Sequence, residues 1–511
     1  MMNNLKIATF ISYVTLIIGN LISLLYTPFM LVSLGQSEYG LFSLTNTIIS
    51  YVYLLDMGFG NAVIRYNAKY MVEDDEESCQ NLNGMFFSLY LVIAIVGGII
   101  GFIMYQNFDT WFAQGLSIQE ISRIKVMFTI AIINLVCAFP LNIFNGIIVA
   151  HEKFVFTKII TLIRTILNPL IMIIILVSGY KAIGMLIGST FFNLFIGIIN
   201  IIFCFKYLNI KFKFNNFDKN LLKEIFNFSF FIFLSAIAYK IYWSTDQFIL
   251  GMFVSASAIS IYSIGSQLNG YFTSFSNVIN SMFLPKLTKL TVNTTDKTEL
   301  MNILVKISRI QYFIASFILL GFILIGKAFI IRWAGPDYRQ SYFIALLVMG
   351  PQLFSIIQAL FATLLEAMNK HKIKAYIYLS VAIFNLILTL ILVKPYGMIG
   401  CAVATSVGMT INAILNNIYY TYSLKLDMKF YWKQILKILP TSIIVFIVGS
   451  IYVRLVQPTN YFEIFIFGIV FSITYFGSLW LIGFNELEKN MIRQSFNKII
   501  KIKKIHKNYQ K

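Results

Sequence analysis

Apolar runs of 18 or more residues recur along the whole 511-residue chain. A run of that length with few charges is long enough to cross a bilayer as a helix. Charged residues make up 12% of the chain, about half of what a soluble domain carries. The sequence therefore predicts an all-α polytopic membrane protein and excludes a soluble globular one. About fourteen spans are expected, near residues 7–34, 39–66, 82–107, 124–150, 157–178, 182–205, 225–253, 257–283, 301–326, 341–369, 373–394, 397–424, 434–456 and 460–482.

The four cysteines favour neither a disulfide framework nor a metal site. None belongs to a CxxC pair, and three of them lie inside apolar runs. The first apolar run, residues 7–34, is too long for a signal-peptide core and lacks a small-residue cleavage site, so we expect a retained first span. We expect no metal, no cofactor and no catalytic residue.

Lysine and arginine predict the orientation. An even number of spans places both termini on one side, and the loops and termini of that side hold 29 basic residues against 8 on the other. Such an excess marks the cytoplasmic face, so we expect both termini in the cytoplasm. The same asymmetry explains the net charge of +19 without a nucleic-acid partner. The tail "NKIIKIKKIHKNYQK" fits equally a helix on an anionic leaflet and a solvated charged segment.

An internal repeat divides the first twelve spans. "YGLFSL" (39–44) resembles "ISIYSI" (259–264) at an offset of 220, and "YKAIGMLIGST" (180–190) resembles "YGMIGCAVATS" (396–406) at an offset of 216. Two parallel six-span lobes, related by a pseudo-two-fold axis along the membrane normal, would bind substrate between them. The expected segments are a first lobe (1–205), a basic cytoplasmic linker (206–224), a second lobe (225–424), two additional helices (425–482) and a basic cytoplasmic tail (483–511).

Polar residues form stripes on several predicted spans. On span 5 the stripe comprises Thr157, Thr161, Arg164 and Asn168, and span 8 carries Tyr262, Ser266 and Asn269. Such stripes must face protein or water. Interhelical hydrogen bonding and the lining of a hydrated cavity are both open, and the repeat favours the cavity.

Several charges lie within spans. Asp56 and Arg65 are nine residues apart, about half a turn out of register, so they cannot pair on a straight helix. Either Gly58 and Gly60 between them break that helix, or each charge has a partner elsewhere. Arg65 lies near the cytoplasmic end, where snorkelling to the interface is an alternative role, and Asp56 is a candidate functional carboxylate. On span 7, Lys240 and Asp246 point to different sides, about 120° apart. Arg309 lies beside a basic loop and is expected at the membrane interface.

The stretch "YTPFMLVSLGQSEYGLFSLTNTIISYVYLLDMGFGNAVIRYNAKY" resembles the first two spans of the Wzx-type oligosaccharide flippases, a branch of the multidrug/oligosaccharidyl-lipid/polysaccharide exporter superfamily. "AHEKFVFTK" and "YKIYWSTDQFILG" resemble the same family. The resemblance implies twelve core helices plus two, in a bacterial cytoplasmic membrane. It implies that an undecaprenyl-diphosphate-linked oligosaccharide moves from the cytoplasmic to the outer leaflet, in contact with membrane lipids.

A diphosphate headgroup requires cations in the cavity, and tyrosines and amides suit sugars. The expected substrate-binding residues are Arg164, Lys240, Arg65, Asn168, Tyr239, Tyr242 and Asn269. Asp56 and Asp246 are the expected coupling or gating residues, with Na+ or H+ as the coupling ion. The alternative role of Arg164 and Lys240 is a buried ion pair with Asp56 or Asp246.

Two alternative functions are weighed against the flippase. A multidrug antiporter of the same superfamily would favour carboxylates over cations in its cavity. A membrane glycosyltransferase or polymerase needs a catalytic carboxylate on a sizeable outer loop, and the predicted outer loops are short.

Overall fold

The computed structural model describes residues 2–214, 218–293, 297–368, 371–486, 488–490 and 493, and these are almost entirely helical. Most of the predicted basic tail therefore lies outside the described residues. The helices are α1 (Met2–Leu34), α2 (Gln36–Val52), α3 (Phe59–Val72), α4 (Glu76–Trp111), α5 (Ile118–Ala150), α6 (Phe154–Val177), α7 (Lys181–Tyr207), α8 (Lys219–Phe253), α9 (Ala256–Asn293), α10 (Lys297–Trp333), α11 (Ser341–Ile357), α12 (Ala359–Ala367), α13 (His371–Tyr422), α14 (Met428–Leu436), α15 (Leu439–Val456) and α16 (Tyr461–Ser478).

These helices confirm the prediction of an all-α polytopic membrane protein. Within the described residues, twelve helical segments are long and apolar enough to cross a membrane. One of them, Ile373–Tyr422, has 50 residues and would measure about 75 Å as a continuous helix, more than twice the bilayer core. It is broken at Gly397, whose φ is 55°, so it supplies predicted spans 11 and 12.

The helices group into two compact units. The first comprises Met1–Tyr271, Phe343–Val348 and Lys372–Asn412, and the second comprises Phe272–Tyr342, Met349–His371 and Ala413–Lys511. These boundaries differ from those of the two predicted lobes, whose pseudo-two-fold relation stays a prediction. In the first unit, α4, α5 and α7 pack side by side, and α1 packs along α6.

The second predicted span is broken in its middle, as its glycines indicate. Helix α2 passes into a 3-10 turn at Tyr53–Asp56, and α3 begins after two left-handed residues, Met57 (φ 48°) and Gly58 (φ 74°). Only glycine suits position 58, because a Cβ there would also lie 2.7 Å from Cγ2 of Ile232. The break places Asp56 at the end of the 3-10 turn, directly before α3.

In the second unit, α10 packs against α14, α15 and α16. Arg309 of α10 is only 4% exposed, so it is enclosed by protein, and its expected depth at the membrane interface stays a prediction. Its guanidinium forms an ion pair with Glu488, and it also donates to the carbonyls of Gln434 and Gly483, each at 2.8 Å. The Gly483 carbonyl lies at the end of a wide π-type turn, Leu479–Gly483, that follows α16.

Candidate functional site

A polar cavity of about 340 Å³ lies between α5, α6, α7 and the 3-10 turn of the broken span. Helix α6 contributes Arg164 together with Thr157 and Thr161 from the predicted polar stripe. The facing side is rich in amides, which come from α5 and α7. These amides are Asn134, Asn142, Asn145, Asn193 and Asn200, and Tyr53 completes the polar lining.

The face of α6 that carries Arg164 differs from its apolar face. Ile163, Leu167, Leu170 and Ile174 are exposed large apolar side chains at helical spacing and form the surface suited to lipid. At about 100° per residue, the Thr157–Thr161–Arg164 face lies more than a quarter turn away from them. Three members of the polar stripe, Thr157, Thr161 and Arg164, therefore line a protein cavity beside the apolar face of α6.

Arg164 has no ion-pair partner within the described residues. The same holds for Lys240, which is half-buried on α8. The alternative in which either cation pairs with Asp56 or Asp246 is therefore not what this conformation shows. An arginine left unpaired in a polar cavity can bind an anionic group through two parallel hydrogen bonds.

Asp56 lies at the edge of the same region. Its polar neighbours are the Tyr90 hydroxyl, the Asn142 amide and the backbone amides of Gly58 and Gly60. Asn142 also lines the Arg164 cavity. The carboxylate thus lies at the first turn of α3, where the partial positive charge of a helix N-terminus favours an anion.

Asp246 occupies a separate polar cluster, in the contact between α8, α9 and α13. It is 2% exposed and accepts hydrogen bonds from the hydroxyls of Tyr262, Thr405 (2.7 Å) and Thr389 (3.2 Å). Asn385 donates to the Thr405 hydroxyl at 3.3 Å. Burial of a carboxylate costs free energy unless the group is hydrogen-bonded or neutralised. Here three hydroxyls stabilise the Asp246 carboxylate, rather than a lysine or arginine.

The two tyrosines of α8 differ in exposure. Tyr239 is 55% exposed, which suits contact with a ligand. Tyr242 is 2% exposed, stacks on Tyr378 with ring centroids 5.3 Å apart, and donates its hydroxyl hydrogen to the Thr405 carbonyl at 3.1 Å. In this conformation Tyr242 therefore offers no free hydroxyl to a sugar.

The remaining predicted residues are dispersed. Arg65 is exposed on α3, and its guanidinium lies 4.7 Å from the centre of the Phe228 ring, a cation–π distance. Asn269 is 3% exposed. The side-chain oxygens of Asn269 and Asn168 are buried without a hydrogen-bond partner, so each has an acceptor to offer.

Helix α1 is buried at its C-terminal end and more exposed towards its N-terminal end. Among residues 6–26 of α1 only Ala8 is buried, whereas Met30, Leu31 and Leu34 at the C-terminal end are all buried. Beside this end of α1, Leu41, Leu44 and Ile48 of α2 are at most 1% exposed. The closed end is therefore formed by the C-terminus of α1 and the N-terminus of α2.

Comparison with known proteins relates the chain to transporters. The family described as "Polysaccharide biosynthesis protein" matches residues 6–291. The "Probable low-salt glycan biosynthesis flippase Agl15" of Haloferax volcanii is 22% identical over 274 residues, which cover 53% of this chain and 57% of that relative. The "Putative O-antigen transporter" of Shigella flexneri is 22% identical, over 79% of this chain and 94% of that relative.

Two solved structures share the fold. "Lipid II flippase MurJ, inward closed conformation" superposes with a TM-score of 0.67 at 16% identity, covering 92% of this chain and 99% of that one. An "inward-facing conformation of a multidrug resistance MATE family transporter of the MOP superfamily" superposes with a TM-score of 0.64 at 13% identity, covering 79% and 93%. At these identities the likeness concerns the fold alone.

Of the residues predicted to bind substrate, Arg164 lines this cavity, and none of its five amides was among them. Asn193 and Asn200 are seven residues apart, so they share one face of α7. That spacing was a usable signal. Thr389 and Thr405 gave no comparable signal, because they lie 143 and 159 residues from Asp246 in the chain.

Proposed function

The chain belongs to the polysaccharide biosynthesis protein family, and from that premise we propose that it flips an undecaprenyl-diphosphate-linked oligosaccharide from the cytoplasmic to the outer leaflet of a bacterial cytoplasmic membrane. The observation that carries the proposal is Arg164, which has no ion-pair partner within the described residues and faces an amide-lined cavity. The printed names of the relatives, a glycan biosynthesis flippase and an O-antigen transporter, support the flippase role.

The cavity chemistry suits a phosphorylated saccharide. The guanidinium of Arg164 can form a bidentate contact with a phosphate. Amides such as Asn134 and Asn193 offer both donors and acceptors to sugar hydroxyls. Lys240 on α8 supplies a second unpaired cation for the diphosphate, and Arg65, Asn168, Tyr239 and Asn269 remain candidate contacts. Tyr242 would join them only after a rearrangement that frees its hydroxyl.

The multidrug-antiporter alternative fits the cavity less well. An organic cation requires a carboxylate that is free to pair with it. Asp246 is buried and already accepts from three hydroxyls, and the cavity itself carries a cation.

Coupling is assigned to the two aspartates. The Asp246 carboxylate is surrounded by the hydroxyl oxygens of Tyr262, Thr389 and Thr405, and oxygen groups suit either a proton or a dehydrated Na+. Binding of either cation would neutralise the buried charge and lower the cost of a dry contact around it. Asp56 lies beside Asn142 at the edge of the cavity. A cation bound there would neutralise Asp56 in the same way, and it would link the occupancy of the cavity to the conformation of the broken span.

The experiment is a flipping assay in proteoliposomes that carry a labelled polyprenyl-diphosphate oligosaccharide. A glycosidase added outside reports the fraction that has crossed. Arg164→Ala should reduce the flipping rate at least tenfold, and Arg164→Lys should restore it only partly, because lysine lacks the bidentate geometry. Lys153→Ala, an exposed cation just before α6, is the charge-matched control. Wild-type flipping by both Arg164→Ala and Lys240→Ala would refute the assignment of the diphosphate to these residues.

A further inference from the structure

Ser43 and Ser263, which occupy equivalent positions in the internal repeat, are in contact at the closed end. Ser43 of α2 and Ser263 of α9 are separated by 220 residues, the offset of the repeat, and their hydroxyl oxygens lie 2.7 Å apart. Two equivalent positions can touch in this way only if the symmetry axis that relates the repeats passes between them. The contact therefore lies on the axis about which alternating access would take place.

A crossed pair of hydrogen bonds flanks this contact. The Thr47 hydroxyl donates to Oε1 of Gln247 at 2.6 Å, and Nε2 of Gln267 donates to the Thr27 hydroxyl at 2.9 Å. The offset of 220 maps Thr47 onto Gln267 and Thr27 onto Gln247. The same threonine–glutamine contact thus occurs on both sides of the axis, once between α2 and α8 and once between α1 and α9.

The backbones around these bonds approach closely. A Cβ at Gly40 of α2 would lie 1.9 Å from the carbonyl oxygen of Ala256, and a Cβ at Gly251 of α8 would lie 2.8 Å from a methyl carbon of Leu44. Leu44, Ile48 and Ile259 are all completely buried. Among the described residues, these close approaches and buried side chains obstruct the passage of water or a sugar at this end.

We infer that the Ser43–Ser263 contact, with the Thr47–Gln247 and Thr27–Gln267 pairs, is the gate that closes the outer side of the transport path and parts during each cycle. The inference rests on the proposed function for the direction of transport. The excess of lysine and arginine on the other side predicts that this end faces outside. Hydroxyl and amide groups suit a gate that must open repeatedly, because water replaces their hydrogen bonds when they separate. An apolar contact of the same size would expose apolar surface to water each time it opened, and no hydrogen bonds with water would compensate.

The first test is a reversible crosslink. Ser43→Cys and Ser263→Cys are introduced together in a chain whose four native cysteines are replaced, and copper phenanthroline oxidises the pair. The hydroxyl separation places the two sulfurs within reach of a disulfide after small rotamer changes. Flipping in proteoliposomes should fall at least tenfold on oxidation and return with dithiothreitol, whereas each single-cysteine variant should not respond. Undiminished flipping by a fully crosslinked protein would overturn the inference.

A second test needs no substrate and so separates the gate from the proposed function. Thr47→Val removes the hydroxyl that bonds Gln247 while keeping the side-chain shape. Thr45→Val is the matched control, because the Thr45 hydroxyl donates to Leu41 within its own helix. In Ser43→Cys protein, Thr47→Val should increase labelling by an impermeant maleimide from outside several-fold, and Thr45→Val should not. Equal labelling of the two variants would contradict the gate, even if flipping itself were never observed.

Discussion

Arg309 and Glu488 form a buried bidentate ion pair, with Nε to Oε1 at 2.6 Å and Nη2 to Oε2 at 2.9 Å. The side chains are only 5% and 8% exposed. Two more guanidinium hydrogens go to backbone carbonyls, so four of the five N–H donors of Arg309 are engaged. The pair therefore joins α10 to the segment that follows α16, within the second unit.

The first prediction is that Arg309→Ala strongly destabilises the protein. Removal of one partner leaves an uncompensated buried charge on Glu488, which typically costs about 3–5 kcal/mol. Thermal unfolding of the purified protein in detergent should show a clearly lower Tm. Lys306→Ala is the control, since Lys306 lies three residues earlier on α10 and is exposed.

The double replacement Arg309→Met with Glu488→Leu separates pairing from packing. Both charges are then absent, and a well-packed apolar pair is often as stable as the ion pair it replaces. Its Tm should therefore exceed that of Arg309→Ala. If Arg309→Ala unfolds at the wild-type temperature, the pair contributes nothing to the stability of the second unit.

The Arg309 pair shows where sequence reasoning stopped. Hydropathy predicted the spans, and Gly58 with Gly60 predicted the break in the second of them, because both signals are local. The partner of Arg309 lies 179 residues away, so nothing near Arg309 in the sequence indicated the ion pair. The partners of Asp246 were hidden from the sequence in the same way. The carboxylate itself could be recognised as a charge within a span, but Thr389 and Thr405 reach it only because α13 packs against α8.

The second prediction concerns the coupling aspartates. Asp246→Asn keeps the shape of the side chain but removes the charge that a coupling cation would neutralise. Turnover should slow by about tenfold, equivalent to about 1.4 kcal/mol in the barrier, while the Kd for the lipid-linked substrate changes little. Asp56→Asn should behave similarly. Rates and affinities measured on the same preparations of proteoliposomes separate the two effects.

Asp109→Asn is the control for these variants, because Asp109 is exposed and pairs with Lys125 on the surface. Thr405→Val should reproduce part of the Asp246→Asn effect, since the Thr405 hydroxyl bonds that carboxylate directly. A rate that depends on Na+ at constant pH would identify the ion. Unchanged turnover in both Asn variants would return the two aspartates to a purely structural role.

The third prediction concerns orientation. The lysine and arginine excess predicts that the loop after α3 and both termini lie in the cytoplasm. Reporter fusions after Lys69 and after Lys511 should both give a cytoplasmic signal, and a fusion after Thr459, in the short loop before α16, should give an external one. An external signal at Lys69 or Lys511 would reverse the direction of transport and the side assigned to the Ser43–Ser263 gate.

The fourth prediction is that membrane potential alone drives flipping. The diphosphate carries about two negative charges, each worth about 2.3 kcal/mol per 100 mV. An inside-negative potential therefore pushes the headgroup outward by about 4–5 kcal/mol per 100 mV if both charges cross without a counterion. Arg164 and Lys240 are fixed to the protein. If they cross the field with the substrate, they reduce the electrical free energy gained in the outward step, and they return the same amount when the empty carrier resets.

Proteoliposomes with a valinomycin-set potassium potential, and no sodium or proton gradient, provide the measurement. The rate should rise as the interior becomes more negative for molecules oriented with cytoplasmic termini inside, and reversal of the potassium gradient should slow them. Arg164→Lys is an informative variant here, because it keeps the fixed charge while losing the bidentate phosphate contact. Its rate should therefore be lower at every potential, with the same fractional response to voltage. A wild-type rate indifferent to potential would show that the headgroup crosses as a neutral complex, with the compensating cation supplied by the ion that Asp56 or Asp246 binds.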